Sequence, residues 1–125
     1  MDIGLKRLEA IAADEVETAL AALPAAMRAQ ARAVPVTFQG TPNAGQCEDG
    51  IETDTLGLFI GPEFAQEEDC AMPLPPQIIL FLENLWEFSE QDEAIFREEV
   101  RTTLLHELGH YLGLDEDDLF ERGLE

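Results

Sequence analysis

The sequence has few basic residues for its length. Only seven of its 125 residues are Lys or Arg, against 27 Asp or Glu, which gives a formal net charge of −20. No Lys or Arg lies between Thr41 and Phe96. Because nucleic-acid backbones and anionic lipids repel such a polyanion, we expect it to bind no nucleic acid and no membrane. A nucleic-acid mimic that competes for basic proteins is the exception, and it stays a minor alternative.

Long hydrophobic runs and a cysteine framework are missing too. The longest strong apolar run, residues 78–82, is far shorter than the roughly 18 residues that a membrane helix needs. The first residues lack a signal-peptide pattern, because Glu9 and Asp14 interrupt any apolar region. Cys47 and Cys70 are too few for a disulfide scaffold, and we expect both to be free thiols. Together these features predict a cytoplasmic protein.

Apolar residues are nevertheless abundant enough to build a core. They make up 46% of the chain, a fraction too high for a disordered acidic protein. A length of 125 residues fits one compact unit, so we predict a single domain over residues 1–125.

Proline and the spacing of apolar residues divide the first two thirds of the chain into helices and strands. We predict an amphipathic helix over residues 5–23, which Pro24 ends, and a second short helix over residues 25–33. The predicted strands are residues 34–38, 56–60 and 78–82, and the predicted loops are residues 40–53 and 62–76.

The last third is predicted to be helical. A turn or short helix over residues 84–88 precedes Ser89, whose spacing to Asp92 is typical of a helix cap. A long helix should follow from about residue 90 to Leu112 and end at Gly113.

The strand at residues 78–82 allows two interpretations. Pro75 and Pro76 before it favour an edge strand, which would be able to pair with an extended peptide. Five apolar residues in succession instead favour a strand that is buried on both faces.

The long C-terminal helix contains His106-Glu107-Leu108-Gly109-His110, an H-E-x-x-H pattern. Residues four apart lie one turn apart on the same face, so both imidazoles can reach one Zn²⁺ ion. Glu107, about 100° further round the helix, can lie beside the metal without binding it and take a proton from metal-activated water. The pattern therefore predicts His106 and His110 as zinc ligands and Glu107 as the general base.

A chance pair of histidines is the plain alternative. The apolar residues of the same helix fall on the opposite side, which argues against two core histidines; they are Val100, Leu104, Leu108 and Tyr111, with Leu105 and Leu112 at the margins. One face can therefore pack against a core while the other presents imidazoles to a cleft.

Two histidines alone hold zinc poorly, so a third ligand is expected. Gly113 is placed to end the helix and fold the chain back. Four acidic residues follow at 115–118, and Glu116 completes the pattern H-E-x-x-H-x-x-G-x-x-E. We predict Glu116 as the third ligand, with Asp115 and then Asp117 as alternatives. An ordinary surface charge or helix cap is the competing role for each.

With these motifs the sequence resembles the minimal zincin-like metallopeptidases of bacteria. The similarity covers nearly the whole chain and is most specific in the zinc helix. The matching segments are Leu23-Pro24, residues 56–61, residues 76–81 and residues 103–114, followed by Leu119 and Gly123.

The resemblance implies a compact α+β fold: a small mixed β-sheet, flanking helices, and the H-E-x-x-H helix beneath the cleft. It also implies zinc held by His106, His110 and an acid, usually Asp, at the position of Glu116. The extra methylene of a Glu there leaves the local backbone and the choice of ligand open. The implied activity is peptide-bond hydrolysis on a peptide or protein substrate, and the negative field should favour neutral or basic substrates.

Two other functions remain open. One is a regulator that acts on a single target, which general peptidase assays would not detect. The other is a non-catalytic domain in which zinc only fixes the C-terminal turn. Such a structural site would have four protein ligands, and residues 115–118 are able to supply two of them.

Overall fold

The computed structural model describes residues 4–61 and 76–112. Within them the chain forms five helices and three strands. The elements in chain order are α1 (Leu5–Ala21), α2 (Ala25–Arg32), β1 (Val36–Gln39), α3 (Ala44–Glu48), β2 (Gly57–Ile60), β3 (Gln77–Phe81), α4 (Leu82–Phe88) and α5 (Glu93–Tyr111). The predicted α+β class with a small mixed sheet and flanking helices is confirmed.

The three strands form one sheet in the order β1-β3-β2. β1 pairs with β3 in parallel, and β2 pairs with β3 in the antiparallel direction. The interpretation of residues 78–82 as an edge strand is therefore wrong. Neighbours on both sides and side chains that are 0–4% exposed make β3 the buried central strand, as its run of apolar residues indicates.

Helices pack against this sheet. α5 lies against β2 and β3, and it also packs on α1 and α4. The apolar side chains of α1 recur at helical spacing and form one side of the core. The buried cluster consists of Leu8, Ile11, Ala12, Val16, Ala19, Leu20, Leu23, Ala31, Val34, Ile78, Leu80, Leu82, Leu85, Phe96, Val100, Leu104, Leu108 and Tyr111. None of the helices in residues 4–61 and 76–112 is long and apolar enough to cross a membrane.

One helix lies where a loop was expected. α3 interrupts the predicted loop at residues 40–53. Its start is fixed by a capping box: the Asn43 side chain accepts from the Gln46 amide, and the Gln46 side chain accepts from the Asn43 amide. α3 has no buried residue, so no apolar periodicity marked it in the sequence. Cys47 lies in this helix as a half-buried free thiol, whereas Cys70 lies outside the described residues.

The start of the last helix also differs from the prediction. Ser89 was expected to cap the last helix. Its hydroxyl is instead buried and donates to the carbonyl of Leu85, so that Ser89 ends α4. Glu90 and Gln91 adopt positive φ angles of 56° and 60°, which turn the chain between the two helices. The carboxylate of Asp92 then accepts from the amide of Ile95 and caps α5.

Candidate metal centre

The H-E-x-x-H pattern lies in the last two turns of α5, within a helix that has one buried and one accessible face. The predicted apolar side is buried, with Val100, Leu104, Leu108 and Tyr111 between 0% and 3% exposed. His106 is half-buried and His110 is exposed. The predicted division of the helix into a packing face and a histidine face is confirmed.

The two imidazoles of α5 approach each other closely. The Nε2 atoms of His106 and His110 are 3.2 Å apart, and the ring centroids are 4.8 Å apart. Two nitrogen lone pairs at this distance repel each other unless a proton or a cation lies between them. The pair is thus arranged to share one positively charged species.

Zinc fits this pair of nitrogen atoms. In a tetrahedral site with Zn–N distances near 2.0–2.1 Å, two coordinating nitrogens lie about 3.3 Å apart. The separation of 3.2 Å between the Nε2 atoms is close to that value. His106 and His110 are therefore able to act as two ligands of one Zn²⁺ ion with little rearrangement.

Glu107 lies beside the histidines and points towards strand β2. Its carboxylate accepts a hydrogen bond from the backbone amide of Phe59. Burial raises the pKa of the Glu107 carboxyl above its ordinary value of 4.5. The charges of His110 and His106 and the Phe59 amide act in the opposite direction and lower that pKa. A buried carboxyl group with a raised pKa takes up a proton more readily than an exposed one, which suits it to proton exchange.

Gly57 allows α5 to lie close to β2. A methyl group at this position would overlap Cγ2 of Thr103 and lie 3.5 Å from Cγ of Glu107. A larger residue would therefore force the Thr103 side chain to turn or the strand and the helix to move apart. The absence of a side chain at Gly57 is what lets the Phe59 amide reach Glu107.

The outer edge of β2 faces this helix. The Phe81 amide donates to the Leu56 carbonyl at 3.0 Å, which identifies residues 56 and 81 as a hydrogen-bonded pair. In an antiparallel pair the direction of the backbone groups alternates, so those of Gly57 and Phe59 point away from β3. The Phe59 amide that bonds Glu107 is one of these outward groups.

An aromatic contact fixes the far end of the site. The rings of Phe59 and Tyr111 are 5.7 Å apart and tilted by 58°. Tyr111 is 2% exposed, as its expected place on the apolar face requires. The contact joins the end of α5 to β2 one turn beyond Glu107.

The predicted third ligand and its alternatives lie outside the residues that the structure describes. Glu116, Asp115 and Asp117 all lie outside the described residues, so these assignments stay predictions. Within residues 4–61 and 76–112, no group of three or more His, Cys, Asp or Glu side chains is placed to hold a metal ion. The described part of the predicted site therefore consists of two imidazoles and the carboxylate of Glu107.

Three further residues shape the site, and sequence reasoning missed all of them. Phe59 holds Glu107 through its backbone, which no side-chain pattern reveals. Gly57 and Thr103 set the distance between strand and helix. A glycine inside an apolar strand is a known sign that another backbone lies close to it. Of these three residues, Gly57 is therefore the one that the sequence could have predicted.

Comparison with known proteins agrees with this geometry. The chain matches the family of zincin-like metallopeptidases over residues 31–124, about three quarters of its length. No curated protein matches it significantly. The family match includes all three strands, α5 and the acidic residues that follow it. On this match, the chain belongs to the family of zincin-like metallopeptidases.

Proposed function

We propose that the protein is a zinc-dependent metallopeptidase that cleaves peptide bonds with metal-activated water. His106, His110 and Glu116 would hold the Zn²⁺ ion, with Asp115 and Asp117 as the alternatives to Glu116. Glu107 would be the general base. The substrate is a peptide or protein segment, and the proposed location is the cytoplasm.

One observation carries this proposal: two Nε2 atoms 3.2 Å apart stand next to a carboxylate whose burial raises its pKa. If the two histidines met on the surface by chance, nothing would explain why their Nε2 atoms stand at the distance that zinc requires. Nothing would explain the half-buried acid beside them either. The family match supports the same interpretation.

Each residue of the site has its own role in the proposed mechanism. A bound Zn²⁺ would supply a nucleophile at neutral pH by lowering the pKa of water, and it would polarise the substrate carbonyl. The Glu107 carboxylate accepts the proton of the attacking water and passes it to the nitrogen of the leaving amine. The Phe59 amide and the packing of Tyr111 on Phe59 hold Glu107 and the end of α5 in place during these transfers.

The outer edge of β2 is the surface on which an extended peptide would bind. The backbone groups of Gly57 and the carbonyl of Phe59 point away from β3 at this edge, next to Glu107, which accepts from the Phe59 amide. A peptide that adds to this edge as a further strand would carry its backbone past the histidine face of α5. In this proposal the peptide pairs with β2, one of the two edge strands among residues 4–61 and 76–112, in place of residues 78–82.

Metal content tests this proposal directly. Purified protein should contain stoichiometric zinc at neutral pH, or take it up when zinc is added and excess removed. His106→Ala should lose most of it, because two remaining ligands hold zinc poorly. Thr102→Ala, an exposed change on the same helix, is the matched control and should keep its zinc.

Single variants of the acidic residues then identify the third ligand. Glu116→Ala should reduce zinc binding more than Asp115→Asn or Asp117→Asn. A wild-type protein that binds no zinc after addition would contradict the proposal. A site with four protein ligands and no peptidase activity would instead support the non-catalytic alternative.

A further inference from the structure

A second feature of interest lies at the start of β2, away from the histidines. It is a cavity of about 490 Å³, lined by Asp54, Leu56, Asn84, Glu87 and Phe88. We name it the acidic cavity. This volume is typical of pockets that hold a small ligand or a long side chain.

The acidic cavity combines two carboxylates with apolar surface. Asp54 and Glu87 are both exposed, and Phe88 is 59% exposed, the largest exposed fraction among the large hydrophobic residues that the structure describes. Leu56 forms the other apolar wall. Exposed aromatic surface next to uncompensated charge is a common property of binding sites.

One wall of the acidic cavity is held rigidly. The side-chain amide of Asn84 donates to the carbonyls of Thr53 and Thr55 at 2.8 Å and 2.9 Å. Both donors of this amide are used in tying the 53–56 segment to α4. The backbone of the two sides of the cavity is therefore joined before any ligand arrives.

No basic side chain of the described residues forms an ion pair with either carboxylate of the acidic cavity. The ion pairs of residues 4–61 and 76–112 join Arg7, Arg32, Arg97 and Arg101 to acids on α1 and α5. Glu87 accepts a hydrogen bond from the neutral amide of Gln91, which leaves its charge uncompensated. The cavity is thus complementary to a cation.

Along the chain, the acidic cavity directly precedes the proposed peptide-binding edge. Leu56 lines the cavity and directly precedes Gly57, next to which Glu107 lies. An extended strand advances about 3.3 Å per residue, so the distance from Phe59 to Leu56 is about 10 Å. A peptide bound along β2 would bring a side chain about three residues from the cleaved bond to the cavity.

We propose that the acidic cavity is a specificity pocket for one Lys or Arg side chain of the substrate. Lys and Arg carry an apolar stem and a charged head. The stem would pack on Phe88 and Leu56 while the head reaches Asp54 and Glu87. This inference rests on the proposed peptidase function for its role, but the binding that it describes can be measured without zinc.

The probes are blocked heptapeptides, rich in alanine, in which one Lys is moved through the sequence. A matched set carries norleucine, which keeps an apolar stem and lacks the charge. Binding is measured on the Glu107→Gln protein, which is not expected to cleave the probes, by NMR shifts and by the fluorescence of Trp86, the neighbour of Glu87. At the best position, Lys should bind about tenfold more tightly than norleucine.

Variants that remove charge test whether Asp54 and Glu87 cause the preference for Lys over norleucine. The double variant Asp54→Asn with Glu87→Gln should bind the Lys and norleucine peptides equally. The control, Glu48→Gln with Asp49→Asn, removes the same charge from exposed residues of α3 and its end, and should keep the preference. All four residues are exposed, so the fold is not at risk. An equal loss in the control, or no preference in the parent protein, overturns the inference.

Cleavage separates this inference from the proposed function. With zinc bound, kcat/KM should show the same Lys preference, and the double variant should lose it. Cleavage of both peptide sets at equal rates overturns the inference and leaves the peptidase function standing. A Lys preference in binding without zinc uptake or cleavage contradicts the peptidase function and shows that the cavity binds cations independently.

Discussion

The two halves of α5 use charge in opposite ways. In the first half, residues 93–101, each arginine pairs with acids. Arg97 contacts Asp14 at 2.9 Å and Glu15 at 3.6 Å, and Arg101 contacts Glu15 at 4.0 Å. These pairs join α5 to α1 and involve no group proposed to act on substrate.

In the second half, residues 103–111, the ionisable groups face one another instead. His106 and His110 share a contact of 3.2 Å, and Glu107 is held by a backbone amide of β2. No Lys or Arg occurs in this half. The comparison teaches that one helix serves both as a scaffold with paired charges and as a site whose ionisable groups are arranged around a common point.

The largest expected effect concerns the second half. Glu107→Gln should lower kcat/KM by about 10²–10⁴-fold, because the amide cannot take up a proton. Zinc content should stay unchanged, since Glu107 does not bind the metal in the proposed site. The matched control is Glu98→Gln, an exposed acid of the first half, which should leave kcat/KM within about twofold of wild type. Unaltered activity in Glu107→Gln would remove its assigned role.

A substitution at Gly57 tests whether the second half of α5 depends on its distance from β2. In Gly57→Ala the new Cβ overlaps Cγ2 of Thr103, so the Thr103 side chain must turn or helix and strand must shift, at a cost of about 1–3 kcal/mol in unfolding free energy. Activity should fall as well, because Phe59 no longer reaches Glu107. Chemical denaturation and kcat/KM measure both effects.

Thr103→Ser removes the methyl group that the new Cβ at position 57 would meet, so combining it with Gly57→Ala should recover most of the lost stability. Gly45→Ala is the control, because its Cβ would meet only an ordinary contact of 3.5 Å with the Asn43 side chain. If Gly57→Ala is as stable as wild type, the close approach of α5 and β2 is not needed.

A smaller effect is expected from the first half. Arg97→Ala breaks the contacts with Asp14 and Glu15 and should lower Tm by about 1–3 °C, with less effect at high salt. Zinc content and kcat/KM should not change. Calorimetry at two salt concentrations, together with zinc analysis, checks this. A loss of zinc in Arg97→Ala would show that the two halves are not independent.

The smallest effect concerns an ion pair outside α5. The hydrogen bond and charge of Arg32 lower the pKa of the Glu17 carboxyl below its ordinary value of 4.5. A lowered pKa contributes stability above pH 4.5 that is lost as the pH falls through the folded-state pKa. Glu17→Gln should therefore lower Tm slightly at neutral pH, and the difference should shrink as the solution is acidified through that pKa. A difference that persists unchanged in strong acid would contradict this pairing.

The sequence predicted the parts of the fold that local signals control. Pro24 and the periodic apolar residues of α1 set its limits to within about two residues. β3 was placed correctly along the chain, but its position in the sheet depends on partners that lie up to about 40 residues away. Pro75 and Pro76 favoured an edge because a local rule cannot count the neighbours of a strand.

The site, too, has features that local signals predict and features that depend on distant parts of the chain. The spacing of His106 and His110 is a local property of a helix, so the sequence predicts their contact. Phe59 and Glu107 are 48 positions apart, and their hydrogen bond exists only once the sheet and α5 have packed. Side-chain patterns also carry no information on a backbone amide. Ser89 was mistaken for a cap because Glu90 and Gln91 adopt positive φ without being glycine.

The hydrogen bond between Phe59 and Glu107 has a consequence for how the molecule folds. The two imidazoles come together as soon as one turn of α5 forms, on a timescale below about a microsecond. Glu107 is fixed only after β2 has packed against α5, because its partner Phe59 lies 48 positions away and contacts between distant segments form slowly. During folding, the histidine pair would therefore form before the carboxylate beside it is held in place. In the proposed mechanism, a chain that is still folding would thus have no fixed general base with which to cleave its neighbours.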